Sequence, residues 1–341
     1  MDMETEKHNN SEKLICWVDS AKGLGVLLVI IGHLLYSSDI PFLNRWIYSF
    51  HMPLFFFLAG FLQKKHLHDD FVFRKTKRLL VPYTLFVLAW IPIYLVSFLL
   101  KSQSLVDILT DALYLKGKVS NNPLWFLIVL MEIYAVASFL KLPEWNTEKQ
   151  VAVYILVVLI GWVIWSYREY LIVLNLFGIN RMILCLNFYV FGLIYKKIMP
   201  FMKEIRTKSF LLVLSGIVSI SFGVLINTKV SIYNFSIGSY IPFQIAALFG
   251  TIAVTEFCKV FLNSATWISE LSKYSILFLG SQYFIIIPFR HVMRKLGLAY
   301  TLYYDIAMIC VVLLLVILLP RVYRLASDRF PHLRLLNGEI V

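Results

Sequence analysis

Charge is scarce in this chain of 341 residues: Asp, Glu, Lys and Arg together make up 15% of it, where a soluble protein carries about a quarter. That shortage excludes a soluble enzyme and a disordered tail protein, both of which need charged or polar surface. Acidic residues are the scarcer sign, 20 against 32 Lys and Arg, which leaves a net charge of +12. Cysteine is scarce too. Cys16, Cys185, Cys258 and Cys310 all fall in apolar stretches, spaced like neither a zinc site nor a disulfide scaffold. They read most simply as small buried hydrophobes. There is no internal repeat, no low-complexity segment and no stretch that makes a soluble domain. The polar start, Met1 to Lys13, runs into a hydrophobic stretch that carries Asp19 and Lys22 and has no small-residue cleavage site. A removable signal peptide is therefore not expected.

What is present is apolar. Hydrophobic residues make up 60% of the chain and its mean hydropathy is +0.76. A span needs about 20 mostly apolar residues to cross the hydrocarbon. Ten stretches qualify: 15–36, 46–63, 79–100, 123–141, 151–167, 181–199, 210–227, 239–260, 272–289 and 302–320. None alternates as barrel strands do, so the expected class is all-α, a polytopic membrane protein with about ten transmembrane helices. With the N-terminus inside, 21 Lys and Arg fall in inner segments and 10 in outer ones, and Lys22 lies in the first span. Such a bias puts both termini in the cytoplasm. It also accounts for the basic balance, so nucleic acid is not an expected partner. The organisation follows: a cytoplasmic segment 1–14, one membrane domain 15–320, a short basic cytoplasmic tail 321–341, and a multi-pass location in the cell membrane.

The first span carries groups that lipid would exclude. Ionisable residues within a span cost about 2.5 kcal/mol or more each, so they face protein or water. At 100° per residue, Lys22 and His33, eleven apart, lie on one helix face about 16 Å from each other, and Asp19 joins them one turn before Lys22. The stripe predicts an Asp19–Lys22 pair at one end and His33 near the other. The second span enters as Trp46-Ile47-Tyr48-Ser49-Phe50-His51-Met52-Pro53. A short connection makes the two helices antiparallel neighbours, so His51 is expected at the depth of His33. Two histidines without a third convergent ligand make a metal site a weak reading.

Between spans two and three, Arg74, Lys77 and Arg78 are spaced i, i+3 and i+4 and form one cationic face on a helix. Lipid headgroups would suit such a face, and so would a phosphorylated ligand gripped by guanidinium forks. The fourth span opens Asn122-Pro123-Leu124-Trp125-Phe126-Leu127 and carries Glu132 about 12 Å in. A carboxylate at that depth is a functional candidate, or the neutralising partner of an arginine.

In four stretches the chain resembles the acyltransferase-3 family of integral-membrane acyltransferases, and within it the shorter members similar to fucose 4-O-acetylase. They are Asp19-Ser20-Ala21-Lys22-Gly23 with Gly32-His33, Phe50-His51-Met52-Pro53 through Phe61, the Arg74 to Pro82 run, and Pro123-Leu124-Trp125-Phe126-Leu127. A fainter echo, Phe188-Tyr189-Val190-Phe191-Gly192-Leu193, follows. The resemblance implies ten helices and transfer of an acyl group, usually acetyl, from cytoplasmic acyl-CoA to a hydroxyl of a saccharide or lipid-linked glycan. His33 matches the family's catalytic histidine, Lys22 stands where the family has Arg or Lys, and Arg74, Lys77 and Arg78 match its donor-side basic motif. Two positions depart from the family pattern. Leu130 occupies the place of a glutamate found in many long members, with Glu132 about 200° further round the helix. The family's late histidine is missing, and Ser281 and Gln282 stand in that neighbourhood.

The expectation is thus an O-acetyltransferase with no bound cofactor, acetyl-CoA or another acyl-CoA as donor, a saccharide acceptor and membrane lipids around it. His33 is the expected general base. His51 orients the acceptor or polarises the thioester, and Asp19 and Lys22 line the thiol arm's route or lock the helix pair. Arg74, Lys77 and Arg78 hold the donor phosphates, with Trp125 and Glu132 as further substrate contacts. This scheme requires His33 to face a protein-lined space that communicates with the basic surface. The rival class is a transporter or exporter, which also buries charges in spans.

Overall fold

The computed structural model describes residues 2–35, 40–65, 70–201, 205–263 and 266–339. The apolar runs become helices: α1 (Asp2–Leu34), α2 (Pro41–Phe61), α3 (Phe71–Ala89), α4 (Ile91–Leu99), α5 (Leu105–Ala112), α6 (Trp125–Phe139), α7 (Thr147–Ser166), α8 (Ile179–Ile198), α9 (Ile205–Ile220), α10 (Tyr240–Phe261), α11 (Thr266–Ser272), α12 (Ser275–Lys295) and α13 (Leu302–Arg329). Among the described residues the only extended pairing is an isolated bridge, Ser231 to Ser236. The all-α class and a multi-pass membrane protein follow.

Eight of these helical segments are long and apolar enough to cross a membrane, or nine if the bent pair α3–α4 forms one span. The sequence count of ten differs at α2. This helix has 21 residues, but Asn44, Arg45, His51 and Pro53 dilute its apolar content. It tolerates Asn44, His51 and Pro53 because protein, not lipid, surrounds them, while Arg45 near its start is exposed. Its residues from Ser49 to Leu58 are all buried, and it packs against α1, α8 and α10. The expected third span breaks at Trp90 by 41°, just ahead of Pro92 at the start of α4, where the ring denies the helix a hydrogen bond.

Two tiers of helices result. The apolar windows in α1, in the segment around α6, in the segment that includes α8, and in α10 are 61–67% buried, while those of α7, α9 with its π-helical extension, and α13 are 17–22% buried. The second group presents Leu, Ile and Val outward, as lipid-facing helices do. Where α2 crosses α8 the backbones touch. A Cβ at Gly60 would collide with the Tyr189 carbonyl, and one at Gly192 with the Phe57 carbonyl. Small residues are what allow helices in membranes to approach this closely.

The first and last described residues also continue from the helices. α1 runs on continuously from Asp2 into the first apolar run, and α13 extends through Arg329, past Pro320. The last described turn, Pro331–Asn337, folds back, and Asn337 donates to the carbonyl of Lys273 at 2.6 Å. The expected tail is therefore docked against the membrane domain. Elsewhere, Glu256 and Lys259 form a buried ion pair at 2.7 Å. The Tyr195 hydroxyl donates to Glu256 and accepts from Lys259, and the ammonium lies 5.0 Å from the centre of the Trp17 ring.

Candidate active site

Two chambers lie toward opposite ends of the polar stripe on α1. The basic chamber, about 370 Å³, is lined by Asp19, Lys22, Gln63, Lys75, Arg78, Tyr134, Lys273 and Asn337 among others. Lys22 Nζ stands 3.9 Å from Asp19 Oδ1, the pair that the spacing predicts, and the Ser272 hydroxyl donates to the same carboxylate oxygen at 3.3 Å. Four cations thus face one carboxylate around this space.

α3 delivers its cations unequally. The inward face of this helix is set by the buried Leu79, Pro82 and Phe86. Lys75 lies four residues before Leu79 and so falls on that face, over the Tyr134 ring at 5.3 Å. Arg78 flanks it and lines the chamber. Arg74 turns outward to an exposed pair with Asp70 at 3.0 Å, and Lys77, about 200° round from Lys75, is exposed. Of Arg74, Lys77 and Arg78 the chamber's lining includes only Arg78, and Lys75 lines it as well. The inward period of Leu79, Pro82 and Phe86 is the sequence signal that identifies Lys75.

The histidine chamber is larger, about 600 Å³. His33, Tyr48, His51, Trp125, Tyr233, Tyr283, Lys229 and Arg290 line it, together with Ser120, Asn122, Ser231, Asn234 and Ser236. Among the described residues none of its lining groups is a carboxylate. Burial and the neighbouring Arg290 guanidinium both push the Lys229 ammonium, in the loop before α10, below the usual lysine range. That loop is pinned from below by Arg181, which is buried and donates from Nε to the Tyr233 carbonyl at 2.7 Å. The Tyr233 hydroxyl in turn donates to the Val119 carbonyl at 2.9 Å. Glu132 lines neither chamber. The positive charge that acts on it is that of Arg181.

The two histidines are held differently. His51 is buried, and its Nδ1 lies 2.7 Å from the Ile47 carbonyl on the preceding turn. A carbonyl only accepts, so Nδ1 carries the hydrogen and Nε2 is left as the basic nitrogen. His33 Nδ1 lies 3.0 Å from the Tyr48 hydroxyl and 3.2 Å from the Tyr283 hydroxyl. Hydroxyls donate or accept by rotation, so His33 keeps partners whether Nδ1 bears a hydrogen or not. Both tyrosine rings meet His33 edge-on. Sequence reasoning missed both. Tyr48 sits one turn before His51, which is a usable local signal, but Tyr283 is 250 residues from His33 and no spacing reveals it.

The chambers abut at Leu279. Leu279 lines both, and between them lies a void too narrow for water, bordered by Val26, Val29, Ile30, Phe55, Phe278, Leu279 and Gln282. His33 therefore faces protein and not lipid, as expected. Along this void the open connection to the basic surface that the scheme requires is closed by apolar side chains around the buried Gln282. Among the described residues no group of three His, Cys, Asp or Glu is arranged to hold a metal ion.

This architecture is that of a polytopic helical membrane protein with two polar chambers end to end inside the bundle. The acyltransferase domain of the acyltransferase-3 family matches residues 15–320, and the chain belongs to that family. No curated protein and no solved structure matches the chain significantly.

Proposed function

We propose that this membrane acyltransferase takes an acyl group, acetyl in the simplest case, from acyl-CoA and places it on a hydroxyl of a saccharide or lipid-linked glycan. The observation that carries the reading is the pairing of the two chambers. Four cations, Lys22, Lys75, Arg78 and Lys273, surround the smaller one, which suits the phosphates of a CoA thioester. Aromatic, asparagine and serine residues line the larger one, which suits a sugar. With the N-terminus in the cytoplasm of a cell membrane, the donor enters from within and the acceptor from outside.

In this scheme the acceptor hydroxyl attacks the thioester carbonyl while His33 takes its proton. Tyr48 and Tyr283 hold Nδ1 in either protonation state. The tetrahedral intermediate collapses by breaking the carbon–sulfur bond, and the thiolate leaves as CoA thiol with the proton from His33. His51, fixed by Ile47, orients the acceptor. Side-chain rotation at Leu279 and Phe55 opens the layer that the acyl group crosses.

Membranes containing the protein and labelled acetyl-CoA test this directly. Transfer is lost in His33→Ala with expression intact, and Arg78→Ala raises the donor KM more than it lowers kcat. Unchanged transfer in His33→Ala contradicts the reading. A closed layer between two chambers also suits alternating access in an exporter. That second reading predicts movement of substrate with no thioester consumed.

A further inference from the structure

Gln282, on α12, is fully buried, and neither its amide oxygen nor its amide nitrogen has a hydrogen-bond partner. Among the described residues it is the one buried amide side chain orphaned at both ends. Native proteins rarely leave such groups unsatisfied, because each unpaired end forfeits its hydration without return. An apolar side chain of similar volume would suit this site better in the empty protein. Its neighbours are Val29, Phe55, Phe278 and Leu279, in the layer that separates the chambers. Val29 and Leu279 also face the histidine chamber, and Phe55 and Leu279 the basic one. The next residue, Tyr283, reaches His33 at 3.2 Å. The orphaned amide therefore lies between the cation-lined chamber and the imidazole-lined one.

We propose that Gln282 binds the thiol arm of the donor, its amide pairing with an amide of that arm where the arm passes Leu279. A trans secondary amide points its N–H and C=O in opposite directions, so one such amide pairs with one of the two orphaned atoms at a time, as donor or as acceptor. Inorganic phosphates or a sugar confined to one chamber would not reach this layer. The inference rests on the reading that acyl-CoA enters at the basic chamber. It goes further by identifying which residue recognises the part of the donor beyond its phosphates.

The test uses the full chain in lipid nanodiscs, with CoA and with its nucleotide bisphosphate fragment, which lacks the arm, as probes. Gln282→Leu without ligand melts at a higher temperature than the wild type. It binds CoA about tenfold more weakly, the equivalent of one hydrogen bond lost, and binds the fragment as the wild type does. Equal CoA affinity in Gln282→Leu and wild type overturns this inference while leaving the functional reading intact. A lower melting temperature with both probes weakened marks Gln282 as a structural residue and also overturns it. Wild-type protein that binds neither probe overturns the functional reading and this inference together. If Gln282→Leu does not fold, Gln282→Met, unbranched and of similar length, carries the same comparison.

Discussion

Removing the hydroxyls that face His33 one at a time and then together has a distinctive expected pattern. Tyr48 and Tyr283 stand 3.0 and 3.2 Å from the same ring nitrogen, and an imidazole nitrogen forms one good hydrogen bond at a time. In Tyr48→Phe or Tyr283→Phe the remaining hydroxyl rotates onto Nδ1, and the loss is that of a fraction of one bond. A net hydrogen bond contributes about 0.5–1.5 kcal/mol, so each single variant lowers kcat/KM by no more than about tenfold. The double variant takes both hydroxyls from Nδ1. Stranding a buried polar atom costs about 1–3 kcal/mol, so the double loss exceeds the sum of the singles, by about 1 kcal/mol or more, as expected for groups sharing one partner. The assay is acyl transfer from labelled acetyl-CoA in nanodiscs over a range of donor and acceptor concentrations, with melting temperature as a control for folding. Strictly additive losses refute the shared-partner geometry. A single variant as inactive as His33→Ala shows that one tyrosine alone holds the ring.

Lys75→Met raises the donor KM several-fold and Lys77→Met leaves it unchanged, because only Lys75 lines the basic chamber; the reverse order in steady-state kinetics contradicts the inward face assigned to α3. Glu256→Ala removes one partner of the buried pair with Lys259 and costs about 3–5 kcal/mol of stability, read by denaturation in detergent, with donor affinity unchanged in whatever protein remains folded. A cost below about 1 kcal/mol is what an exposed pair shows and contradicts the burial. Gly60→Val drives a side chain into the Tyr189 carbonyl on α8, so little folded protein reaches the membrane; normal yield and melting temperature contradict the α2–α8 backbone contact.

How much of this was legible in the sequence depends on whether a local period carries it. The Asp19–Lys22–His33 stripe is one helix face, and the structure keeps it: the ion pair forms at one end and the imidazole faces a chamber at the other. The long apolar runs became α1, α6, α7, α8, α10, α12 and α13 for the same reason. α2 resists a hydropathy count because its environment is other helices, so His51 and Asn44 cost it little. The spacing of Arg74, Lys77 and Arg78 is correct for one cationic face, but which arc of that face points inward is decided by Leu79 and Phe86 against their neighbours. Contacts between distant segments leave no such period. Tyr283 with His33, Arg181 with the Tyr233 carbonyl, and Asn337 with the Lys273 carbonyl join residues 250, 52 and 64 apart. The layer at Leu279 is equally invisible, since an apolar residue in an apolar helix carries no mark that it closes a passage.

The central claim is that the two chambers are the two ends of one route, with donor phosphates at Lys22, Lys75 and Arg78 and the thioester at His33. The most direct measurement is the structure of the protein in a nanodisc with a non-hydrolysable acetyl-CoA analogue. The account predicts density running from the basic chamber past a displaced Leu279 to the His33 ring. Density confined to the histidine chamber, or a thiol arm that turns away from Leu279 into lipid, would contradict it.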